Sequence, residues 1–232
     1  AYAERLRWLT GFAGSWGLAI ILKDEAAIFV DGRYTIQVRQ QVDTKLLTPR
    51  HLVDEPPQDW IADTLKPGQK LGFDPWLLTS DQIQRFTAAA AKAGAELVAS
   101  LPNAVDAVWT DQPSRPTAPI AVQPTQFAGR TAADKIAEIG SALARHKADA
   151  TVLTLPDSVA WIFNIRGADV PHTPVVLGYA IIRRNGRASL FLEPARLPED
   201  VSAHLASVAD IRPPDALEQE LAVSLFHRHA RG

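Results

Sequence analysis

Two residue types are missing altogether: the 232-residue chain has no cysteine and no methionine. Without cysteine there is no disulfide, no thiolate zinc site and no cysteine nucleophile. That fits a cytoplasmic protein, which is the expectation. Without a methionine at its head, Ala1 is not expected to be the native first residue. Net charge is scarce too. Lys and Arg number 24 against 26 Asp and Glu, a balance of −2, so no long-range field draws nucleic acid or anionic lipid. Long apolar runs are lacking, and the densest apolar stretches are strand-sized. Ala1 to Arg7 is polar and has no apolar signal-peptide core. Neither a nucleic-acid partner nor a membrane partner is expected. The composition that remains, 47% hydrophobic and 22% charged, is that of a soluble globular protein. Its length suits one large domain or two ordinary ones.

The most informative feature present is an internal echo. Trp8-Leu9-Thr10-Gly11-Phe12-Ala13-Gly14 lines up with Trp161-Ile162-Phe163-Asn164-Ile165-Arg166-Gly167, an offset of 153 positions. Tryptophan falls on tryptophan, Gly14 on Gly167, and apolar on apolar at the second and fifth places. Each copy runs on into two β-rich segments and a tight turn: Gly17 to Leu22 then Ala26 to Val30, and Val176 to Ile182 then Ala188 to Leu192. A long-period echo of this kind reads as two related α/β domains in tandem. Gln112 to Pro119 holds three prolines in eight residues. That is too stiff for an interior strand and suited to a junction, so the domains are placed at 1–115 and 116–232.

Within the first domain the pattern predicts a helix ending near Leu9 and the hairpin, with Asp31 as an N-cap before a helix over Tyr34 to Val42. A strand over Lys45 to Thr48, a loop from Pro49 to Pro57, and a helix entered at Pro57 follow. Next come a strand over Lys70 to Phe73, an alanine-rich helix over Ser80 to Ala93 stopped by Gly94, and a strand over Glu96 to Ser100. Asn103 to Trp109 reads as a helical turn. In the second domain an extended stretch at Ile120 to Val122 precedes a helix over Thr131 to His146 and a strand over Ala150 to Leu155. Asp157 is expected to cap the helix that carries Trp161. Pro198 to Ala206, Val208 to Ile211 and Pro214 to Leu225 read as helix, strand and helix. The tail from His227 to Gly232 reads as a fraying or foreign end. Shifted back by 153, the helix and strand before Trp161 fall almost wholly ahead of Ala1. The first domain is therefore expected to lack its opening helix and strand here.

Chemistry is sparse. The six histidines are His51, His146, His172, His204, His227 and His229, and none forms H-E-x-x-H or an i, i+4 pair, so no metal site is expected in this chain. Gly11, Gly14 and Gly17 lie between a helix and a strand, the reverse of a phosphate-cradling loop. Ser15 lacks the G-x-S-x-G context of a nucleophile elbow. No catalytic residue is expected. The acidic pairs Asp54-Glu55 and Glu199-Asp200 read as solvated loop residues. Asp31-Gly32-Arg33-Tyr34 reads as cap, tight corner and core anchor. The loop from Asn164 to His172 stays open between two readings. Arg166 and Asp169 brace a turn, or Asn164, Arg166, Asp169 and His172 face a ligand or partner.

Five stretches carry a family resemblance: Arg5 to Ser15, Val30 to Tyr34, Gly72 to Pro75, Asn103 to Trp109, and Ala160 to Pro171. In order and spacing, from Arg5 to about Pro194, the chain resembles the N-terminal half of the three-domain Xaa-Pro aminopeptidases of metallopeptidase group M24. The resemblance implies an α/β fold of two tandem creatinase-N-like domains, each a mixed β-sheet flanked by helices. Trp8, Gly11, Gly14, Asp31, Gly32, Arg33, Tyr34, Trp161 and Gly167 then form a structural motif. It also implies a third, C-terminal domain that holds two divalent ions, Mn²⁺ or similar, and removes the residue before a proline. This chain ends before that domain, so alone it is expected to be inactive as a peptidase. Its expected partners are that catalytic domain, proline-containing peptides and a second subunit in a homodimer. Asn164, Arg166, Asp169 and His172 are candidates for substrate access or interdomain contact. The competing reading is a stand-alone binding or dimerisation module. A creatinase-type enzyme fails for want of active-site groups.

Overall fold

In a computed structural model the backbone is described for residues 2–229 and the side chains for residues 2–223. The expectations about the side chains of His227 and His229 and about a foreign end lie outside the described residues. The chain divides into two compact units, Ala1–Ser114 and Arg115–Gly232.

In the first unit α1 (Arg5–Thr10) ends at Gly11, whose φ of +79° is left-handed. A Cβ there would lie 2.8 Å from the carbonyl oxygen of Gln41, so glycine is required on two counts. β1 (Leu18–Ile21) and β2 (Ala26–Val30) form the expected antiparallel hairpin. β2 is buried on both faces. Ala27 and Phe29 face one core with Ile20, Trp60, Ile61 and Phe86, while Ile28 and Val30 face another with Phe12 and Val38. This is the period of two that a pleated strand imposes. After β2 the Asp31 carboxylate accepts from the Arg33 amide at 3.0 Å and opens a 3-10 turn, Gly32–Tyr34, that runs into α2 (Thr35–Gln41).

β3 (Thr48–His51) runs parallel to β2 at the edge of the sheet. The sequence reading placed this strand over Lys45 to Thr48 and ended it at Pro49. The strand instead includes Pro49, because an edge strand has one side where a missing N–H costs no ladder bond. α3 (Pro57–Thr64) does open on Pro57. β4 (Lys70–Phe73) and β5 (Glu96–Ala99) pair in parallel across α4 (Ser80–Lys92), which Thr79 and Gln82 close with a capping box. α5 (Ala104–Val108) is capped by Asn103.

The second unit opens with β6 (Ala121–Val122), α6 (Thr125–Ala128), which was not foreseen, and α7 (Ala132–Arg145). β7 (Ala150–Leu153) and α8 (Pro156–Ile162) follow, then β8 (Ile165–Arg166), which pairs with β6. β9 (Tyr179–Arg183) and β10 (Ala188–Phe191) form the second hairpin. α9 (Glu199–Ala206) leads to β11 (Ala209–Arg212), and α10 (Leu217–His229) is last. The sheet order is β11-β10-β9-β7, with β10 antiparallel to β9 and parallel to β11. Strand for strand, β9-β10-β11 repeats β1-β2-β3. Each unit holds a mixed sheet and a separate two-stranded sheet, flanked by helices.

The echo extends to backbone conformation. Asn164 follows α8 as Gly11 follows α1, and its φ of +51° is left-handed as well. Asparagine tolerates that region better than most side chains. β10 also leaves through a 3-10 turn, Pro194–Arg196, as β2 does. One cap and one loop differ from the sequence pattern. Asp157 is the second residue of α8, not its cap. Pro156 opens the helix, and the Asp157 carboxylate accepts only from the next amide, Ser158 N, at 2.9 Å. Glu199 and Asp200 lie in the first turn of α9 and not in a loop. Negative charge there meets unpaired amides and the positive end of the helix dipole. Thr131 is the true cap of α7, its hydroxyl oxygen accepting from Asp134 N at 3.1 Å. Thr131→Ala is expected to cost about 1 kcal/mol in urea unfolding.

Candidate functional site

The loop after α8 departs from the sequence reading in how its side chains are used. Asn164 is 1% exposed. Its Oδ1 accepts from Lys135 Nζ at 2.7 Å, its Nδ2 donates to the Arg130 carbonyl at 2.8 Å, and its own carbonyl accepts from Gln123 N at 2.7 Å. Asn164 therefore ties α7, β6 and α8 together. Lys135, 1% exposed, also donates to the Trp161 carbonyl at 2.6 Å and sits 4.1 Å from the centre of the Trp161 ring. Burial holds its pKa below the usual lysine range, and the charges of Arg166 and Arg130 push the same way.

Asp169 does not pair with Arg166. It is buried against Arg196, itself 7% exposed: Nη1 donates to Oδ2 at 2.9 Å and Nη2 donates to Oδ1. Oδ2 also accepts from Leu177 N at 2.7 Å, and Arg196 Nε donates to the Ala118 carbonyl at 3.0 Å. This fork-on-fork pair clamps the segment that leads into β6 to the loop before β9. Its carboxylate faces Arg196 and not solvent. Arg166 is half-buried and donates from Nη1 to the carbonyls of Ala160 and Ile165 at 3.1 and 2.8 Å. His172 alone of the four candidates is exposed, in a tight turn closed by the Val170–Thr173 bridge and with φ +60°. Gly167 lets the loop close, because a Cβ there would meet Val176 at 2.9 Å and the Val175 carbonyl oxygen at 3.0 Å.

Lys135 and Arg196 were not among the sequence candidates. Lys135 had a legible signal: it stands on the apolar stripe Ala132, Ile136, Ile139 of α7, where a lysine is out of place. Arg196 had none, being 27 residues from its partner.

In the first unit Asp31 and Arg33 form a bidentate pair, with Arg33 Nη2 2.7 Å from Asp31 Oδ2, and the arginine holds the carboxyl below the usual range. The guanidinium lies 5.1 Å from the Tyr34 ring, and Tyr34 Oη sits 2.6 Å from Ser15 Oγ, a bond that lowers the phenol pKa. Phe12 meets Tyr34 edge-on, and a Cβ at Gly14 would lie 2.2 Å from the Phe12 ring. Phe12, Gly14, Ser15, Asp31, Arg33 and Tyr34 therefore form one braced corner of the first unit. Trp8 stacks on Trp109 at 5.4 Å. Among the described residues no three His, Asp or Glu side chains converge as metal ligands, and Asp31 and Asp169 each face an arginine. The donor set of the described residues does not fit a di-metal centre. No described helix is long and apolar enough to cross a membrane.

Two α/β units with the same strand plan, their buried polar groups engaged in bracing loops, make a duplicated frame. Comparison with known proteins says which frame. Residues 1–108 and 111–228 match two models of the creatinase/prolidase N-terminal domain. The chain belongs to the creatinase/prolidase N-terminal domain family. It is 38% identical to aminopeptidase P1 of Lotus japonicus over 202 residues, which cover 87% of this chain and 30% of that protein. It is 36% identical to a probable Xaa-Pro aminopeptidase P of Leptosphaeria maculans, covering 90% of this chain and 34% of that one. Among solved structures it is similar to the X-prolyl aminopeptidase of Caenorhabditis elegans, described as a cytosolic enzyme with a di-nuclear active site. There the TM-score is 0.90 at 30% identity, over 99% of this chain and 38% of that one. The chain thus spans about a third of the length of these relatives.

Proposed function

We propose that this chain is the non-catalytic N-terminal region of a metal-dependent Xaa-Pro aminopeptidase, with domains at 1–115 and 116–232. Its role is to frame substrate access and subunit contacts for a catalytic domain elsewhere in the same protein. The observation that carries this reading is the pair of N-terminal-domain matches covering nearly the whole chain, while the chain spans only about a third of its Xaa-Pro aminopeptidase relatives. The polar groups support it. Asn164 and Asp169 hold the loop from within, which leaves Arg166 and His172 to face the catalytic domain or a peptide passing into it. Two divalent ions, a cytoplasmic setting and a homodimer belong to the whole enzyme on this reading.

The purified 232-residue chain is expected to release no N-terminal residue from Xaa-Pro peptides, with or without added Mn²⁺. The full-length gene product, loaded with Mn²⁺, is expected to turn them over. Hydrolysis by the short chain would overturn the proposal. So would a full-length product that hydrolyses no Xaa-Pro peptide, which would favour a binding or dimerisation module.

A further inference from the structure

We infer that the outer edge of β7 and the exposed side of α8 form a docking surface for a later segment of the same polypeptide, one that repeats the plan of β4 through α5. The inference rests on the internal repeat and not on the peptidase reading.

The first unit shows what occupies the corresponding place. There the α5 segment lies on α1 through three contacts. Gln112 Nε2 donates to the Tyr2 carbonyl at 2.9 Å, Arg5 grips Asp106 with two bonds of 2.7 Å, and Trp109 stacks on Trp8. Trp109 is only 8% exposed as a result. Moved by the 153-residue offset, Tyr2, Arg5 and Trp8 become Leu155, Ser158 and Trp161. These follow one side of α8. Leu155 is 62% exposed and Trp161 is 49% exposed. One face of the Trp161 ring meets Lys135, and the exposed remainder is where a Trp109-like ring would stack.

The sheets make the same case. In the first unit a single core lies under the β1–β2 hairpin and under the β4–β5 pair, through Ile20, Phe29, Leu71 and Leu97, yet no ladder joins the two sheets. The second unit shows which strand belongs beside the hairpin: β7 pairs antiparallel with β9, the counterpart of β1. The full repeat therefore places a β7-type strand between the hairpin and a β4–β5 pair. Among the described residues β7 has no neighbour on its other edge. Such an edge invites a strand. A helix must lead up to a strand added there in parallel, and α10 stands in the order where α3 stands before β4. The relatives are about three times as long as this chain, so proteins of this family have the sequence to supply the occupant.

Hydrogen exchange on the full-length polypeptide tests this. Amides of Ala150–Leu153 are expected to be as protected as those of β9, and to exchange at least about tenfold more slowly than in the 232-residue chain. In the full-length protein Leu155→Gln, which adds no favourable N-cap to α8, is expected to lower Tm by about 4 °C or more. Phe127→Asp, at a residue 71% exposed in the same unit, is expected to shift it by less than about 1 °C. Edge-like exchange of β7 in the full-length protein would overturn the inference. So would equal effects of the two substitutions, or protection that appears only as a dimer forms with concentration, which would assign the edge to a second copy.

Discussion

Asp169→Ala is expected to destabilise the second unit by about 3–5 kcal/mol, the largest effect of any single polar substitution here. The magnitude follows from what remains behind. Arg196 is 7% exposed, and without Asp169 its guanidinium keeps only the Ala118 carbonyl as a bonded partner in the structure. A buried cation so stranded costs far more than the pair was worth as a pair. The Leu177 amide loses its acceptor at the same time. Exposed pairs such as Arg130–Glu138 and Arg85–Asp81, with side chains about half exposed, are expected to be worth about 0–1 kcal/mol each. The double variant Asp169→Ala, Arg196→Met should recover most of the loss, since it removes the stranded charge and fills the space with apolar atoms. Urea unfolding of the three variants decides it. A loss below about 1 kcal/mol in the single variant would contradict the buried-clamp account.

The contrast marks how far sequence reading reaches. Both hairpins, the helix over Ala132–Arg145 and the duplication were legible, because period, caps and the tryptophan echo are local or repeated signals. β3 was misplaced because Pro49 reads as a strand breaker, and only the sheet order reveals that it sits at an edge. The role of Asp169 stays open in the sequence, because it stands in a polar loop two residues after Gly167 with Arg166 as the nearest cation. Its partner, Arg196, is brought to it by tertiary folding across the second hairpin. The left-handed conformation of Asn164 could have been read from its alignment with Gly11. A helix that ends on glycine in one copy and asparagine in the other ends in a position that disfavours most other side chains. Burial of that same asparagine then argues against a ligand-facing role, and leaves Arg166 and His172 as the candidates with any access to a partner.

Lys135→Met gives the second large effect and can be separated by pH. Lys135 has carbonyl and amide oxygens around its ammonium, from Trp161 and Asn164, and no ion pair to a carboxylate is recorded for it among the described residues. Methionine keeps the volume but leaves one buried acceptor, Asn164 Oδ1, and one part-buried acceptor, the Trp161 carbonyl, without this donor, the buried one worth about 1–3 kcal/mol. Relief of the buried charge offsets part of this, so a net loss of about 2 kcal/mol is expected near neutral pH. The pH dependence follows from the sign of the shift. Burial, with Arg166 and Arg130 nearby, lowers the folded-state pKa of Lys135 below the ordinary lysine value of 10.5. Between the lowered value and 10.5 the unfolded chain binds more protons than the folded one, so this group makes wild-type stability rise with pH across that window. Lys135→Met lacks the group and lacks the rise. Every other titrating side chain is common to both proteins and cancels in the difference. The stability of wild type minus variant, followed by urea unfolding upward from neutral pH, should therefore increase towards pH 10.5. A difference that falls with pH would mean that the groups favouring the charged form, the Trp161 and Asn164 oxygens and the Trp161 ring, outweigh burial, because only partners of the ammonium reverse the sign.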